Sequence, residues 1–432
     1  MREALSALTT RGRAFIAAGV TAVLCAMLLD QEDLLRVGVL LAVLPLVTAF
    51  FIGRSRYRLG LVRSVSPTQV TVGQQARVQL DLNNDGKMPT GLLLLEDQLP
   101  YMLGNRPRFV VDRMGPKWKR TVAYGVRSDV RGRFQIGPMS ARLSDPFGLV
   151  ELNRSFQSTG ALVVTPRVVP LPAIPLSGAW TGSGDNRPRA FATGSAEDVT
   201  VREYRRGDDL RRVHWRSSAR VGDLMVRREE QPWQSRATLF LDTRRFAHRG
   251  RGAASSLEHA VSFAASIAVH LTHRGFLVRL VTSAGEEPGA SWHEHGATAA
   301  ETGPLLEALA VVTPVERTHL DTGWVRDAGH SGLLIAVLGD LGATDRPAVK
   351  QMRHSAAGAM AIALDVDAWA RRPVAGSHES SAAWLQAQGW QAVSAAPSDP
   401  LPTVWQQLGA SGRAKRASTS VPAPLVRGRR IP

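Results

Sequence analysis

Residues 237–281 read ATLFLDTRRFAHRGRGAASSLEHAVSFAASIAVHLTHRGFLVRLV and pass from an apolar run through a helical repeat into a second apolar run. The first run, 237–242, ends in an aspartate. Within 255–273, apolar residues recur every three or four positions, which is the spacing of a helix that buries one face. The second run, 276–281, is again typical of a strand. This order predicts a parallel βαβ unit.

The same alternation continues towards the carboxy terminus. Residues 333–338 and 360–364 are apolar runs of strand length, and residues 305–311 and 381–388 have helical spacing. We therefore predict an α/β, Rossmann-like domain in which helices cover both faces of a parallel sheet.

Three of the predicted strands are followed by an acidic residue, namely Asp242, Asp340 and Asp365. In open parallel sheets, ligands bind beyond the carboxyl ends of the strands, so these aspartates are candidates for a binding site. They can equally cap the turns that follow the strands or pair with nearby arginines.

The chain between residues 59 and 166 has a different pattern, made of short apolar runs with turn signals between them. Residues 70–72 and 76–82 alternate apolar and polar side chains before the turn sequence Asn83-Asn84-Asp85-Gly86, which predicts a strand pair. We predict an antiparallel β-sandwich here. Residues with catalytic chemistry do not converge in it, so a spacer or an interaction module is expected.

Two apolar runs near the start, 14–29 and 37–52, contain no charged residue. Each is slightly shorter than the roughly 20 residues that span a bilayer, but flanking arginines can reach the interface. Arginines precede the first run and follow the second, and the connection at 30–33 is acidic. Basic flanks stay in the cytoplasm, which predicts a transmembrane helical hairpin in the cell membrane with the body of the chain in the cytoplasm. A signal peptide followed by a buried helix is the alternative, disfavoured because no cleavage site is evident.

The chain is basic, with a formal net charge of +16 from 53 Lys and Arg and 37 Asp and Glu. Part of the excess lies at 411–432, which has six basic residues and no acidic one, and which we predict to be disordered. Anionic lipid is the expected partner of such a tail on a membrane protein, and we expect no nucleic acid. The single cysteine, Cys25, excludes a disulfide framework and a Cys/His zinc site within this chain.

The most densely charged segment is 194–230, GSAEDVTVREYRRGDDLRRVHWRSSARVGDLMVRREE. Its charges alternate in sign and are interleaved with apolar and aromatic residues, which indicates either an internal network of Arg–carboxylate pairs or a docking surface. We expect partner binding through Tyr204, Gly207, Asp208, Asp209, Arg211, His214, Trp215 and Arg220.

An enzymatic interpretation of this segment is also open. Asp208, Asp209 and His214 have the chemistry of a metal or acid–base centre, as in a metal-dependent hydrolase or nuclease. The surrounding arginines disfavour a bound cation, so we assign no catalytic residue and expect the protein not to be an enzyme.

The segment resembles the hallmark of the domain-of-unknown-function 58 (DUF 58) family. The resemblance rests on Arg202-Glu203-Tyr204, Gly207-Asp208-Asp209, Arg211, Val213-His214-Trp215, Ser218-Ala219-Arg220 and Leu224-Met225-Val226. Upstream, Arg131-Gly132-Arg133-Phe134 and Asp145-Pro146-Phe147-Gly148 resemble the same family.

This resemblance implies a carboxy-terminal half like a von Willebrand factor type A domain. It also implies partners, namely a MoxR-type AAA ATPase and a transglutaminase-like membrane protein. We therefore expect a membrane-anchored cytoplasmic adaptor that works in the assembly or maturation of envelope or other protein complexes.

A von Willebrand type A domain holds Mg²⁺ with an Asp-x-Ser-x-Ser loop after its first strand. In this chain the loop is Asp242-Thr243-Arg244-Arg245-Phe246, so arginine and phenylalanine stand at the two serine positions. Arginine cannot ligate a cation and repels one. We expect no cofactor, with Asp242 and Asp340 as the weak candidates for ligands if Mg²⁺ does bind.

The predicted organisation is therefore a multidomain chain. Its parts are the transmembrane hairpin at 1–58, the β-sandwich at 59–166, a linker with the charged segment at 167–235, the von Willebrand type A-like α/β domain at 236–408 and a disordered basic tail at 409–432.

Overall fold

The structure is a computed structural model that describes residues 7–54, 59–86, 92–112, 115–145, 147–176, 200–204, 213, 215–228, 236–286, 302–325, 332–370 and 380–419. The chain divides into two compact units. The first comprises Met1–Val168, Arg251–Ala254 and Leu306–Val312, and the second comprises Val169–Gly250, Ser255–Leu305 and Thr313–Pro432.

The first unit begins with two apolar helices, α1 (Thr10–Leu29) and α2 (Glu32–Arg54), at the places where the apolar runs predict them. The Thr9 hydroxyl caps α1 by accepting a hydrogen bond from the Gly12 N–H. The helices pack closely at Gly19, where an added Cβ would lie 2.6 Å from the backbone nitrogen of Ala42. Their apolar side chains are largely exposed, and both helices are long and apolar enough to cross a membrane.

The β region that follows contains ten strands among the described residues. They are β1 (Leu59–Ser66), β2 (Gln69–Thr71), β3 (Gln75–Asn84), β4 (Leu92–Asp97), β5 (Arg108–Val111), β6 (Lys119–Arg127), β7 (Gly132–Ile136), β8 (Met139–Ser144), β9 (Glu151–Phe156) and β10 (Gly160–Thr165). They form sheets of order β1-β3-β6, β2-β10-β7 and β5-β4-β8-β9. Side chains from these sheets share one apolar core, with Leu80, Leu93, Ile136 and Leu162 fully or almost fully buried.

Two details of the predicted sandwich are corrected. The region is not wholly antiparallel, because β2 and β10 run parallel. The strand pair expected around Asn83-Asn84-Asp85-Gly86 does not form either, because β3 pairs with β1 and β6. Buried Asn84 is the physical reason. Its backbone N–H donates to the Trp118 carbonyl at 2.9 Å and its side chain donates to the Gly115 carbonyl at 3.0 Å, which ties the end of β3 to the start of β6.

The second unit contains a six-stranded sheet of order β15-β14-β13-β16-β17-β18. Its strands are β13 (Arg236–Leu241), β14 (Leu277–Thr282), β15 (Gly285–Glu286), β16 (Leu333–Leu338), β17 (Gly358–Leu364) and β18 (Gln391–Ala395). All neighbouring pairs are parallel except β14 with β15. The predicted parallel α/β arrangement is therefore present and fits a Rossmann-like domain.

The helices of this part of the chain are α4 (Ser256–His273), α5 (Gly303–Val311), α6 (Arg346–Ser355), α7 (Ser381–Ala387) and α8 (Leu401–Thr419). Most of α5, from Leu306 onwards, belongs to the first unit, and the other four belong to the second. Val349 and Met352 of α6 pack with Phe240 and Ala336 on one face of the sheet. Since successive side chains of a strand point to opposite faces, buried Leu239 lies on the other face, where α4 contacts β13.

Helix α8 extends to Thr419 and so overlaps the first residues of the tail expected at 409–432. At this point Leu408 is fully buried, and an added Cβ at Gly409 would lie 2.7 Å from the Cβ of Ile174. Residues 420–432 lie outside the described residues.

Candidate functional site

The described residues of the charged segment contain a short antiparallel pair, β11 (Thr200–Glu203) and β12 (Met225–Arg228). The N–H of half-buried Tyr204 extends this pairing by donating to the Leu224 carbonyl at 2.8 Å. Buried Val213 forms an isolated antiparallel bridge with Val226. Among the described residues of the segment, Val213 and Val226 therefore form a small buried apolar contact.

Helix α3 (Trp215–Val221) lies between Val213 and β12 in the chain. Its Ser218 hydroxyl accepts a hydrogen bond from the Met225 N–H at 2.8 Å, which holds the helix against β12. Trp215 begins the helix with 71 % of its surface exposed, and Val221 and Leu224 are also exposed. Three large apolar side chains are thus exposed within ten residues of the chain.

Of the predicted binding residues, the structure thus describes half-buried Tyr204, exposed Trp215 and exposed Arg220. Gly207, Asp208, Asp209, Arg211 and His214 lie outside the described residues. The three candidate residues of the alternative hydrolase centre, Asp208, Asp209 and His214, therefore also lie outside the described residues.

A second feature of the site lies at the carboxyl end of β13, where Asp242 is completely buried. Its Oδ1 accepts hydrogen bonds from the Arg244 N–H at 3.0 Å and from the Ser283 hydroxyl at 3.1 Å. The Arg244 guanidinium meets the same carboxylate with both Nε, at 3.0 Å from Oδ1, and Nη2, at 2.8 Å from Oδ2. Asp242 therefore caps its own turn and also binds a guanidinium fork.

Arg244 itself is 4 % exposed, and its guanidinium contacts four residues. Besides Asp242, its Nη1 pairs with Asp345 at 2.8 Å, and it donates to the carbonyls of Asp340 at 3.1 Å and Thr318 at 3.3 Å. Burial alone would lower the pKa of Arg244, but the hydrogen bonds and charges of Asp242 and Asp345 hold it above its ordinary value. A permanent positive charge is thus fixed at the carboxyl edge of the sheet.

His248 adds a neutral polar link next to this ion network. Its Nε2 lies 2.7 Å from the Asp242 carbonyl and its Nδ1 lies 3.0 Å from the Ser256 hydroxyl. Burial lowers the pKa of His248, and the charge of Asp242 offsets this only in part. A neutral ring donates from Nε2 to the carbonyl and accepts from the hydroxyl at Nδ1, which joins the end of β13 to the start of α4.

The two weak metal candidates have different surroundings. The Asp242 carboxylate is bound by Arg244, whereas the partly exposed Asp340 carboxylate lies 3.7 Å from the guanidinium of Arg249. Among the described residues, no group of three or more His, Cys, Asp or Glu side chains is arranged to hold a metal ion. The expectation about Mg²⁺ stays a prediction.

Sequence reasoning did not find Asp345, Ser283 or His248. Asp345 precedes helix α6, which the apolar spacing did not predict, and Ser283 and His248 carry no local motif. Only their distances in the folded sheet show that they belong to the same network as Arg244.

Two residues of the upstream motifs that resemble the family, Arg131 and Asp145, make hydrogen bonds to nearby backbone. Arg131 is 9 % exposed, and its Nη1 donates to the carbonyls of Leu309, Ala310 and Val312 at 3.1, 3.2 and 2.7 Å. These carbonyls are at the end of α5, where a cation satisfies acceptors that the helix leaves open. The Asp145 carboxylate accepts from the N–H groups of Phe147 and Val150, which fixes the connection between β8 and β9.

Comparison with known proteins finds a distant relative of this chain. A curated relative, "Uncharacterized protein YeaD" of Bacillus subtilis (strain 168), is 28% identical over 211 residues, which are 48% of this chain and 51% of that protein. The match thus spans about half the length of this relative.

Two solved structures show weaker likenesses. The CARDB domain of the PF1109 protein of Pyrococcus furiosus, in complex with di-metal ions, has 17% identity over 24% of this chain and 93% of that chain, with a TM-score of 0.18. The alkylpurine DNA glycosylase AlkC of Pseudomonas fluorescens, bound to DNA containing an abasic site analog, has 11% identity over 32% of this chain and 40% of that chain, also with a TM-score of 0.18. At these TM-scores neither likeness bears on fold or function.

The family comparison confirms the resemblance seen in the sequence. Residues 200–323 match the family described as "Protein of unknown function DUF58", and this range begins with β11 and includes residues 200–230 of the charged segment, β13, α4 and the Asp242–Arg244 turn. The chain therefore carries a DUF58 region at residues 200–323.

Proposed function

We propose that this protein is a membrane-anchored adaptor whose charged segment docks a partner protein. The partner we propose is a MoxR-type AAA ATPase, with a transglutaminase-like membrane protein in the same assembly. The observation that carries the proposal is Trp215, which is 71 % exposed on a short helix that a hydrogen bond from the Met225 N–H to the Ser218 hydroxyl joins to β12. Tryptophan and arginine dominate the energetics of protein interfaces, and Arg216 and Arg220 are exposed on the same helix.

The α/β region supports the docking segment as a rigid von Willebrand type A-like platform. In such a platform a divalent ion would lie at the carboxyl end of the first strand, but here the Arg244 guanidinium supplies the positive charge from within the chain. Docking that depends on the charged segment is then independent of divalent cations.

The anchor in this proposal is the hairpin of α1 and α2. Its outer flanks are basic and its connection is acidic, which favours a cytoplasmic location for the rest of the chain. The protein would then hold a soluble ATPase at the membrane, where its assembly substrates are.

The test is binding of a purified MoxR-type ATPase to the full chain, solubilised in mild detergent and immobilised. Trp215→Ala is expected to weaken binding about thirtyfold, because a buried interface anchor contributes about 2 kcal/mol or more. Tyr101→Ala is the matched control, since Tyr101 is 91 % exposed but lies in the β region. Unchanged affinity of a folded Trp215→Ala variant, or an equal loss with Tyr101→Ala, contradicts the assignment of the surface.

Two further arms separate the alternatives. The double variant Asp208→Ala with Asp209→Ala tests whether these two carboxylates belong to the same surface. Chelation with EDTA tests whether docking needs divalent cations, and binding of the ATPase is expected to persist in EDTA. Hydrolysis of phosphodiester or peptide substrates that requires Mg²⁺ and is abolished by His214→Ala would replace the adaptor function with an enzymatic one.

A further inference from the structure

The topology of the first unit places one end of its β region next to the helical hairpin. Strand β1 begins at Leu59, five residues after α2 ends at Arg54, and a chain of that length spans at most about 18 Å. Leu59 pairs with Asn84, and Asn83 pairs with Lys119. The start of β1, the end of β3 and the start of β6 therefore lie together at the end of the sheet that faces the hairpin.

The β5-β4-β8-β9 sheet also contacts the hairpin at this end, through the link between β8 and β9. The Thr9 N–H donates to the Leu149 carbonyl at 2.9 Å, and the Glu151 N–H donates to the Ala7 carbonyl at 2.8 Å. Leu8, Leu149 and Val150 form a buried apolar cluster with Ala49 of α2. The link between β8 and β9 is thus fixed to the first turn of α1 and to the last turns of α2.

Side chains at this end have the composition of a membrane interface. Trp118 is 39 % exposed, and the guanidinium carbon of Arg120 lies 5.9 Å from the centre of its ring. Lys117 and Lys119 are exposed on either side, and Phe147 is 63 % exposed next to the start of α1. We name Lys117, Trp118, Lys119, Arg120 and Phe147 the membrane-facing patch.

Acidic side chains at this end do not cancel the charge of the patch. The Asp145 carboxylate is buried and satisfied by backbone N–H groups, and Glu151 lies 3.9 Å from Arg142. Two exposed acidic residues remain at this end, Asp85 and Asp112. They are outnumbered by the three basic residues of the patch together with exposed Arg11 and Arg13. The described part of this end therefore has a net positive charge.

We propose that the membrane-facing patch binds the surface of the bilayer, with anionic phospholipid headgroups on its basic side chains. Trp118 and Phe147 lie at the level of the headgroups, where aromatic side chains are enriched. Each lysine or arginine close to an anionic surface strengthens binding about fivefold. The β region is then held against the membrane by its own surface, in addition to the hairpin, and its orientation depends on the lipid composition.

The inference rests on the membrane anchor of the proposed function, and the single cysteine of the chain allows both to be tested together. A nitroxide on native Cys25, which is exposed four residues before the end of α1, reports whether the hairpin is in the hydrocarbon. In a Cys25→Ala background, Phe147→Cys places the nitroxide in the patch. Tyr101→Cys places it beyond Asp97, which pairs with Met139 at the opposite end of the β4–β8 sheet.

The measurement is the accessibility of each label to oxygen and to a polar nickel complex, on the full chain in vesicles with and without about one third phosphatidylglycerol. The label at 147 is expected to be at least fivefold less accessible to nickel in anionic vesicles than the label at 101. Charge reversal of Lys117, Lys119 and Arg120 to Glu is expected to remove this protection. Loss of protection in vesicles made only of phosphatidylcholine supports the headgroup contact.

Each outcome separates the two proposals. A label on Cys25 in the hydrocarbon with equal accessibility at 147 and 101 overturns the patch and leaves the anchor. Protection at 147 that the charge reversal does not change overturns the role of anionic headgroups. A water-accessible label on Cys25 overturns the anchor, and the patch with it, but leaves the binding of the ATPase to the charged segment open to its own test.

Discussion

Replacing Arg244 with alanine is predicted to destabilise the second unit strongly. The substitution removes a guanidinium that makes contacts of 2.8 Å with both Asp242 and Asp345, which are 0 % and 2 % exposed. Asp242 keeps the Ser283 hydroxyl and the backbone N–H groups of residues 244 and 339, but none of these supplies a charge. Breaking a buried ion pair by removing one partner costs about 3–5 kcal/mol, which is a large part of the roughly 5–15 kcal/mol that stabilises a typical domain.

Hydrogen exchange of the full chain, measured by mass spectrometry on peptides of β13 and β16, is a suitable assay because it reports the opening of this unit alone. Protection of these strands is expected to fall about 150-fold or more in Arg244→Ala. The adjacent Arg245 is the matched control. It pairs with Glu316 at 2.6 Å, but both side chains are more than 60 % exposed, so Arg245→Ala is expected to cost at most about 1 kcal/mol.

A double-mutant cycle of Arg244→Ala with Asp345→Asn then isolates the pair, with an expected coupling of about 0.5–3 kcal/mol. A loss of less than about 1 kcal/mol in Arg244→Ala, or equal losses at the two arginines, would refute the view that an internal cation organises this edge.

Three further predictions concern other parts of the molecule. Gly19→Leu is expected to separate α1 from α2, because even a Cβ at this position would lie 2.6 Å from the Ala42 nitrogen. Cross-linking between the two helices in vesicles measures this separation, and undiminished cross-linking in the variant contradicts the prediction. Burial lowers the pKa of His248, so as the pH falls the imidazole binds a proton in the unfolded chain before it does so in the folded chain. The free energy of unfolding is therefore expected to fall as the pH drops below the ordinary histidine pKa of about 6.5, and urea titrations between pH 8 and 5 should show a smaller fall in His248→Gln. Because Arg244 occupies the Asp242 carboxylate, Mg²⁺ and EDTA are expected to leave the melting temperature unchanged; a rise with Mg²⁺ would reveal an ion site.

Much of the secondary structure could be predicted from local spacing. The apolar runs at 237–242, 276–281 and 333–338 correspond to strands within one or two residues, and the repeat at 255–273 corresponds to α4. Helix α6 could not be predicted in this way, because its ten residues bury only Val349 and Met352. Two buried side chains are too few to produce a visible period.

The sequence by itself determined the two apolar helices, the change from β strands to an α/β order, the family resemblance and the presence of an arginine where a metal loop would have a serine. These features depend on residues that are close together in the chain, so periodicity and motif spacing reveal them. Only the tertiary structure decided that Arg244 lies against Asp345, 101 residues further along, and that Trp118 and Phe147 share the end of the β region next to the hairpin. Sheet register and turn hydrogen bonds bring these distant residues together, and no local pattern records which strands will pair.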